Sequence, residues 1–304
     1  MFKNKATMSF ITSFKKYSAS YMFILPALLM FVVFSVYPFY KIFELSVYNW
    51  DGISSTMRFV GLDQYIHILT KNPNFWTAMG NAAYITVLAL IVQNGLALLL
   101  ALLVNREIRG DNVYRTILFL PPVLSGIVVG LIWKWIYDSN YGVLNHFLIS
   151  LGWKEFQNFA WLAEIKTSLT SVAVVHMWKG FGYGFIILLA GLQTIPKELY
   201  EAAKVDGADA WQQFKHITVP SMISVFSLVS ILTILGTMQI FDLIYSMTRG
   251  GPAGHTHVPI TRIYEYMANG EFGYSSAMSV IFGVILFTVS ILQLKISRKM
   301  KQYE

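Results

Sequence analysis

Six stretches of about twenty mostly apolar residues constrain this chain more than any other feature. They run Tyr21–Ile42, Asn81–Val104, Ile117–Ile136, Ser168–Leu192, Val219–Ile244 and Tyr274–Leu294. A helix needs about 20 such residues to cross a bilayer. In lipid the backbone must satisfy its own hydrogen bonds, which a helix does within one segment. Only 13% of the residues are charged, about half the share of a soluble domain. The expected fold is therefore all-α and integral to the membrane, with six transmembrane helices in one unit.

Orientation follows from Lys and Arg, which concentrate in cytoplasmic segments. Lys3, Lys5, Lys15 and Lys16 precede the first span, and Arg106, Arg109 and Arg115 follow the second. Lys197, Lys204 and Lys215 follow the fourth span, and Lys295, Arg298, Lys299 and Lys301 follow the sixth. The opposite side carries half as many: Lys41, Arg58, Lys71, Lys154, Lys166, Arg249 and Arg262. Both termini are expected in the cytoplasm. Residues 1–20 and 295–304 are then cytoplasmic tails, 21–294 the transmembrane unit, and 193–220 a cytoplasmic loop. The net charge of +7 reads as topology, which argues against a nucleic-acid partner.

The first span follows lysines, as a signal peptide does. Its apolar run continues into bulky aromatics, beyond the 7–15 residues of a signal core, and is read as retained. Trp76, Trp133, Trp135 and Tyr137 sit where spans should meet water, as interfacial belts do. Pro121–Pro122 should kink the third span. With no cysteine, disulfides and thiolate chemistry are excluded.

The loop Gln193–Met222 reads QTIPKELYEAAKVDGADAWQQFKHITVPSM. Pro196 suits a first helical turn, and Lys197–Val205 holds good helix formers. Gly207 interrupts, and a second short helix can run Ala208–His216. Ala202 and Ala203 would let a partner approach closely. A structured loop without a partner is the plain alternative.

The residues EAA at Glu201–Ala203, then Asp206–Gly207–Ala208, Phe214, Ile217 and Val219–Pro220, resemble the EAA motif of ABC importer permeases. Val219 stands where that family usually has Leu. FDLIYSMTRGGP (Phe241–Pro252) and WKGFGYGFIILLAGLQTIP (Trp178–Pro196) resemble the carbohydrate-uptake, maltose-type branch. The likeness runs from about Asn81 to the C-terminus. It lacks the extra N-terminal spans and large external domain of the maltose-type subunit. It implies a type I ABC importer permease of the bacterial cell membrane, forming half of a channel. The implied partners are a second, homologous permease subunit in a heterodimer, two ATP-binding subunits, and an extracytoplasmic solute-binding protein. The loop would be a coupling helix seated on an ATPase, with Glu201 as the main polar contact and Gly207 as the turn.

No GxxxxGK[ST] phosphate loop is present. The glycine-rich Arg249–Gly254 lacks its Lys and Ser/Thr, so no cofactor is expected in this chain. ATP and Mg would be used by the partner ATPase. His255 and His257 read as solvated loop residues rather than metal ligands. No catalytic residue is assigned.

Ionisable residues within a bilayer usually face a partner or a watery cavity. His176, Trp178, Lys179 and Tyr183 in the fourth span, and Thr237, Gln239, Phe241 and Asp242 in the fifth, are the candidate solute path. Aromatic faces and amides suit sugars, and the maltose-type resemblance points to the same regions. Structural alternatives stand beside this: a Lys179–Asp242 ion pair, a packing role for His176, and snorkelling of Lys134. Gln93 and Asn94 read as interhelical hydrogen-bond donors. Gly180, Gly182 and Gly184 read as close-packing positions. The expected function is import of a di- or oligosaccharide. Glycerol 3-phosphate or a polyol on the same machinery is the alternative, and a proton-coupled secondary transporter or an intramembrane enzyme the remote ones.

Overall fold

The computed structural model describes residues 21–105 and 111–301. The 1–20 tail, with its four lysines, Arg106, Arg109 and residues 302–304 lie outside the described residues. Among the described residues, five helices are long and apolar enough to span a membrane, and a bent pair makes a sixth if its two halves count as one span.

The first helix, α1 (Tyr21–Leu45), is exposed from Tyr21 to Tyr40. A small platform follows. Strands β1 (Tyr48–Asn49) and β2 (Arg58–Phe59) pair antiparallel, Tyr48 opposite Phe59. Helix α2 (Asp63–Lys71) carries Asp63 in its first turn and Lys71 in its last, each matched to the helix dipole.

Helix α3 (Pro73–Val104) starts eight residues before the apolar run. The reason is local: Pro73 occupies a first-turn position, and the Asn72 side chain accepts from the Phe75 N–H. The helix loosens into one π turn at Ala89–Gln93.

The third span is not one kinked helix. Helix α4 (Asp111–Val123) and helix α5 (Gly126–Ile136) meet at 94°. Pro121 and Pro122 lie in the last turn of α4. Each lacks an N–H and crowds the carbonyl four residues back, which weakens the turn before it; the helix ends just beyond the pair, at Leu124–Ser125. Beyond α5 come a short helix, α6 (Val143–Ser150), and an irregular segment to Glu164. Only Trp135 of the expected belt at this end is strongly exposed. Tyr137 is buried and Trp133 half-buried in the core. Trp161, packed against that same core, closes an aromatic cluster with Phe156, Phe159 and Tyr137.

Helix α7 (Ile165–Gln193) is the hub of the bundle. It is the least hydrophobic of the five continuous spans, and the most buried. Those facts belong together, because a helix shielded by protein on most sides can carry polar residues. Its glycines receive neighbours: Gly180 meets Gln93, Gly182 meets Leu118 and Pro122, and Gly191 meets Met222. Two short helices follow, α8 (Lys197–Val205) and α9 (Ala210–Gln213). The fifth span is α10 (Ile223–Met238), interrupted at Gln239–Phe241 and continued by α11 (Asp242–Met247). A loop and α12 (Pro259–Ala268) lead to α13 (Phe272–Lys301), which carries helix well past the expected Leu294.

Candidate functional site: a cavity and an interhelical loop

A cavity of about 440 Å³ opens between α7 and the break of the fifth span. His176, Lys179, Gly180, Tyr183 and Ile187 of α7 line it. Spacings of three and four place them on one helix face. The other wall comes from Thr233 and Gly236 of α10, then Gln239, Ile240, Phe241 and Asp242 at the break. Interrupted helices at membrane depth occur where backbone lines a cavity or is buried in protein.

Six of the eight sequence candidates therefore meet in one place: His176, Lys179, Tyr183, Gln239, Phe241 and Asp242. Trp178 and Thr237 do not line the cavity. The Trp178 ring lies edge-on to Trp133, centroids 5.6 Å apart. Thr237 is fully buried, its hydroxyl 2.7 Å from that of Thr86 and donating to the Thr233 carbonyl at 2.9 Å. It ties α10 to α3, a packing role.

Lys179 and Asp242 make no ion pair. The Lys179 ammonium donates to the Pro122 carbonyl at 3.4 Å, an oxygen close to the α4–α5 break. Asp242 lies over Gly126, where a β-carbon would come within 2.9 Å of its Oδ2. Gly126 opens α5, so the carboxylate sits beside the free N–H groups and positive dipole end of that helix. One turn on, Gly130 receives Ser246 of α11. Two glycines four apart thus seat two polar residues four apart, a close-packing arrangement common between membrane helices. Gly126 and Gly130 are not among the site residues expected from sequence, although their spacing of four is visible there.

Gln93 is the other missed residue. It ends the π turn of α3, lines the cavity and is buried, and its Oε1 has no hydrogen-bond partner. The oxygen lies against Gly180, where a β-carbon would come within 2.7 Å. π turns in membrane and soluble helices frequently mark functional positions. Asn94 next to it does make an interhelical bond, accepting from Thr233 Oγ1 at 3.0 Å.

The loop between α7 and α10 is built by helix-end chemistry. The Ala208 N–H bonds to the Ala203 carbonyl at 2.8 Å, and the Gly207 N–H to the Lys204 carbonyl at 3.1 Å. This pair of bonds is a Schellman stop, and it requires the left-handed backbone found at Gly207, φ +80°. Asp209 then caps α9 reciprocally with Gln212. Tyr200 joins the loop to the fifth span through the Thr218 hydroxyl, 2.9 Å away. Glu201, Ala202, Asp206 and Gly207 are exposed, whereas Ala203 and Ala208 are half-buried within the loop. Leu199 (47% exposed) and Val205 (88%) extend Ala202 into an apolar stripe at spacing three. A bare apolar stripe on a polar loop marks a contact surface.

The Arg249–Gly254 segment wraps around His257 and Arg262. Gly250 packs on the imidazole ring, and Arg262 pairs with Glu265. His257 is buried, with Nδ1 3.1 Å from the Thr261 hydroxyl. It is therefore not the solvated loop histidine expected from sequence, though His255 is exposed.

Residues 93–302 match the family described as binding-protein-dependent transport system inner membrane component. The chain is 32% identical to the probable ABC transporter permease protein YurN of Bacillus subtilis, over 93% of this chain and 97% of that protein. It is 31% identical to the trehalose/maltose transport system permease protein of Thermococcus litoralis, over 95% and 97%. It is 32% identical to the arabinooligosaccharides transport system permease protein of Bacillus subtilis, over 95% and 91%. In fold it resembles a chain of a bacterial ABC transporter involved in import of the acidic polysaccharide alginate. The TM-score is 0.82 at 21% identity, over 96% of this chain and 99% of that one.

Proposed function

The chain belongs to the family of binding-protein-dependent transport system inner membrane components, multi-pass transport subunits, and on that premise we propose that it forms half of the translocation path of an ATP-driven di- or oligosaccharide importer. The observation that carries the sugar reading is the cavity itself. At membrane depth it combines Tyr183 and Phe241, an amide from each of Gln93 and Gln239, and the charges of Lys179 and Asp242. Aromatic faces hold the C–H surface of a pyranose, and the amides and charges take its hydroxyls. Relatives named for trehalose/maltose and arabinooligosaccharide transport support the same class.

In this reading the bent α4–α5 pair counts as one crossing, so both termini and the α8–α9 loop face the cytoplasm. The loop seats on one of two ATP-binding subunits, which bind ATP and Mg. Glu201, Ala202 and the neighbouring stripe make the contact. The Schellman stop at Gly207 and the Tyr200–Thr218 bond carry ATPase motion into the fifth span, whose outer end forms the cavity wall. A second permease completes the channel, and an extracytoplasmic binding protein delivers the solute.

The test is affinity purification of the tagged chain from its native membrane, followed by ATP hydrolysis assays over a sugar panel. Co-purification of a second permease and an ATPase, released by Glu201→Lys, is expected. A chain that purifies alone and transports without ATP would overturn the reading. One observation favours a phosphorylated polyol as a second reading: among the described residues, the Lys179 ammonium in the cavity has a backbone carbonyl as its hydrogen-bond partner and no carboxylate.

A further inference from the structure

Beyond the cavity wall, Phe241 is the innermost of three mutually packed aromatic rings. Tyr245, four residues on in α11, stacks on Phe241 with centroids 5.3 Å apart and planes 12° apart. Tyr264 of α12 lies edge-on to both, at 5.2 Å from Phe241 and 5.4 Å from Tyr245. Phe241 lines the cavity, whereas Tyr245 and Tyr264 retain 40% and 36% exposure.

Their elements are anchored by other faces. On α11, Leu243, Ile244 and Met247 are buried, and Ser246 is held against Gly130. On α12, Arg262 is buried and Tyr266 packs against Tyr274, which turns Tyr264 between them the opposite way. The rings are thus fixed before any ligand arrives. Such pre-organised aromatics bind with little loss of conformational freedom. α11 continues the fifth span towards the external loop, so the cluster stands between the cavity and the outside.

We propose that Tyr245 and Tyr264, continuous with Phe241, form an outer saccharide subsite that holds the ring of an oligosaccharide trailing the unit in the cavity. The inference rests on the sugar-importer reading above. A cavity of about 440 Å³ is near the small end of ligand pockets, which span about 300–1,000 Å³, so a longer chain must extend past it. The negative face of an aromatic ring attracts the weakly positive C–H face of a pyranose. Tyrosine hydroxyls add donors and acceptors at the rim.

The test uses the complete importer in proteoliposomes, with binding protein and ATP. Two probe pairs are offered, maltose with maltotetraose and arabinobiose with arabinotetraose. For the pair the wild type imports, Tyr245→Ala/Tyr264→Ala should raise KM for the tetraose five- to tenfold and leave the disaccharide within twofold. Tyr245→Phe/Tyr264→Phe keeps the ring faces and should restore most of the tetraose KM. Tyr183→Ala, inside the cavity, should impair both lengths. Equal effects of the double alanine variant on both lengths, or no effect, overturn the subsite. Failure of that variant to assemble with its partners overturns it too, because the rings would then be interface packing. A wild-type complex whose ATPase responds to no saccharide overturns the sugar reading, and the subsite falls with it.

Discussion

Asp242 and Gly126 occupy each other's space. A β-carbon on Gly126 would lie 2.8 Å from the Asp242 β-carbon, so the α4–α5 bend and the interruption of the fifth span meet at this contact. Gly126→Ala forces this contact apart. Overpacking of this kind costs about 1–3 kcal/mol. The expected result is a lower melting temperature for the detergent-solubilised protein, with uptake reduced at least several-fold. Asp242→Gly in the same chain should recover much of the melting temperature but not uptake, since the carboxylate is then absent from the cavity. Thermal unfolding of the two single variants and the double variant checks this.

Gly207 gives a graded prediction. Its φ of +80° disfavours any side chain, although the space around it is open. Gly207→Ala should therefore cost about 1 kcal/mol and weaken uptake slightly. Gly207→Pro cannot adopt that backbone and also removes the N–H that bonds to the Lys204 carbonyl. Uptake should be lost while membrane insertion persists, measured as transport against the amount of protein in the membrane fraction.

The spans were legible because apolar runs of bilayer length admit few other structures. Gly207 was legible as a turn because it separates two runs of helix formers. The right angle between α4 and α5 was not. Pro121–Pro122 announce a fault in the helix, but its angle is fixed by Gly126 and Gly130 receiving Asp242 and Ser246 from a distant segment. Thr237 looked like a cavity residue because it neighbours Gln239 in sequence. The α10 geometry instead turns it onto Thr86. Trp133 and Tyr137 looked interfacial by composition, yet contacts with Trp178 and Trp161 draw them into the core. Each miss reflects a partner remote in the sequence.

Gln93 separates stability from transport. Its buried Oε1 lacks a partner, and an unsatisfied buried polar atom costs about 1–3 kcal/mol. Gln93→Leu removes that penalty. The melting temperature of the solubilised protein should stay level or rise. If the oxygen is a solute ligand, KM for uptake should rise roughly tenfold, as expected for about 1.4 kcal/mol of lost binding. Unchanged KM would remove Gln93 from the path.

The loop Thr248–His257 should be acid-sensitive through His257. Burial first, and then the neighbouring Arg262 charge, hold its pKa below the ordinary 6.5, against the opposing pull of Glu265. Protonation is therefore easier once the loop opens, and the open state takes up more protons as the pH falls below about 6.5. Stability linked to His257 is present above that value and is lost on acidification. Asn81 donates to the carbonyls of His255 and His257 at 2.7 and 2.8 Å, so opening there releases the loop from α3. Amide exchange across Thr248–His257, corrected for intrinsic rates, should accelerate between pH 7.5 and 5.5. His257→Gln should flatten that dependence. Asp51, held down to about 2 first by the Ser54 hydroxyl and then by backbone N–H groups, titrates below this window and leaves it undisturbed.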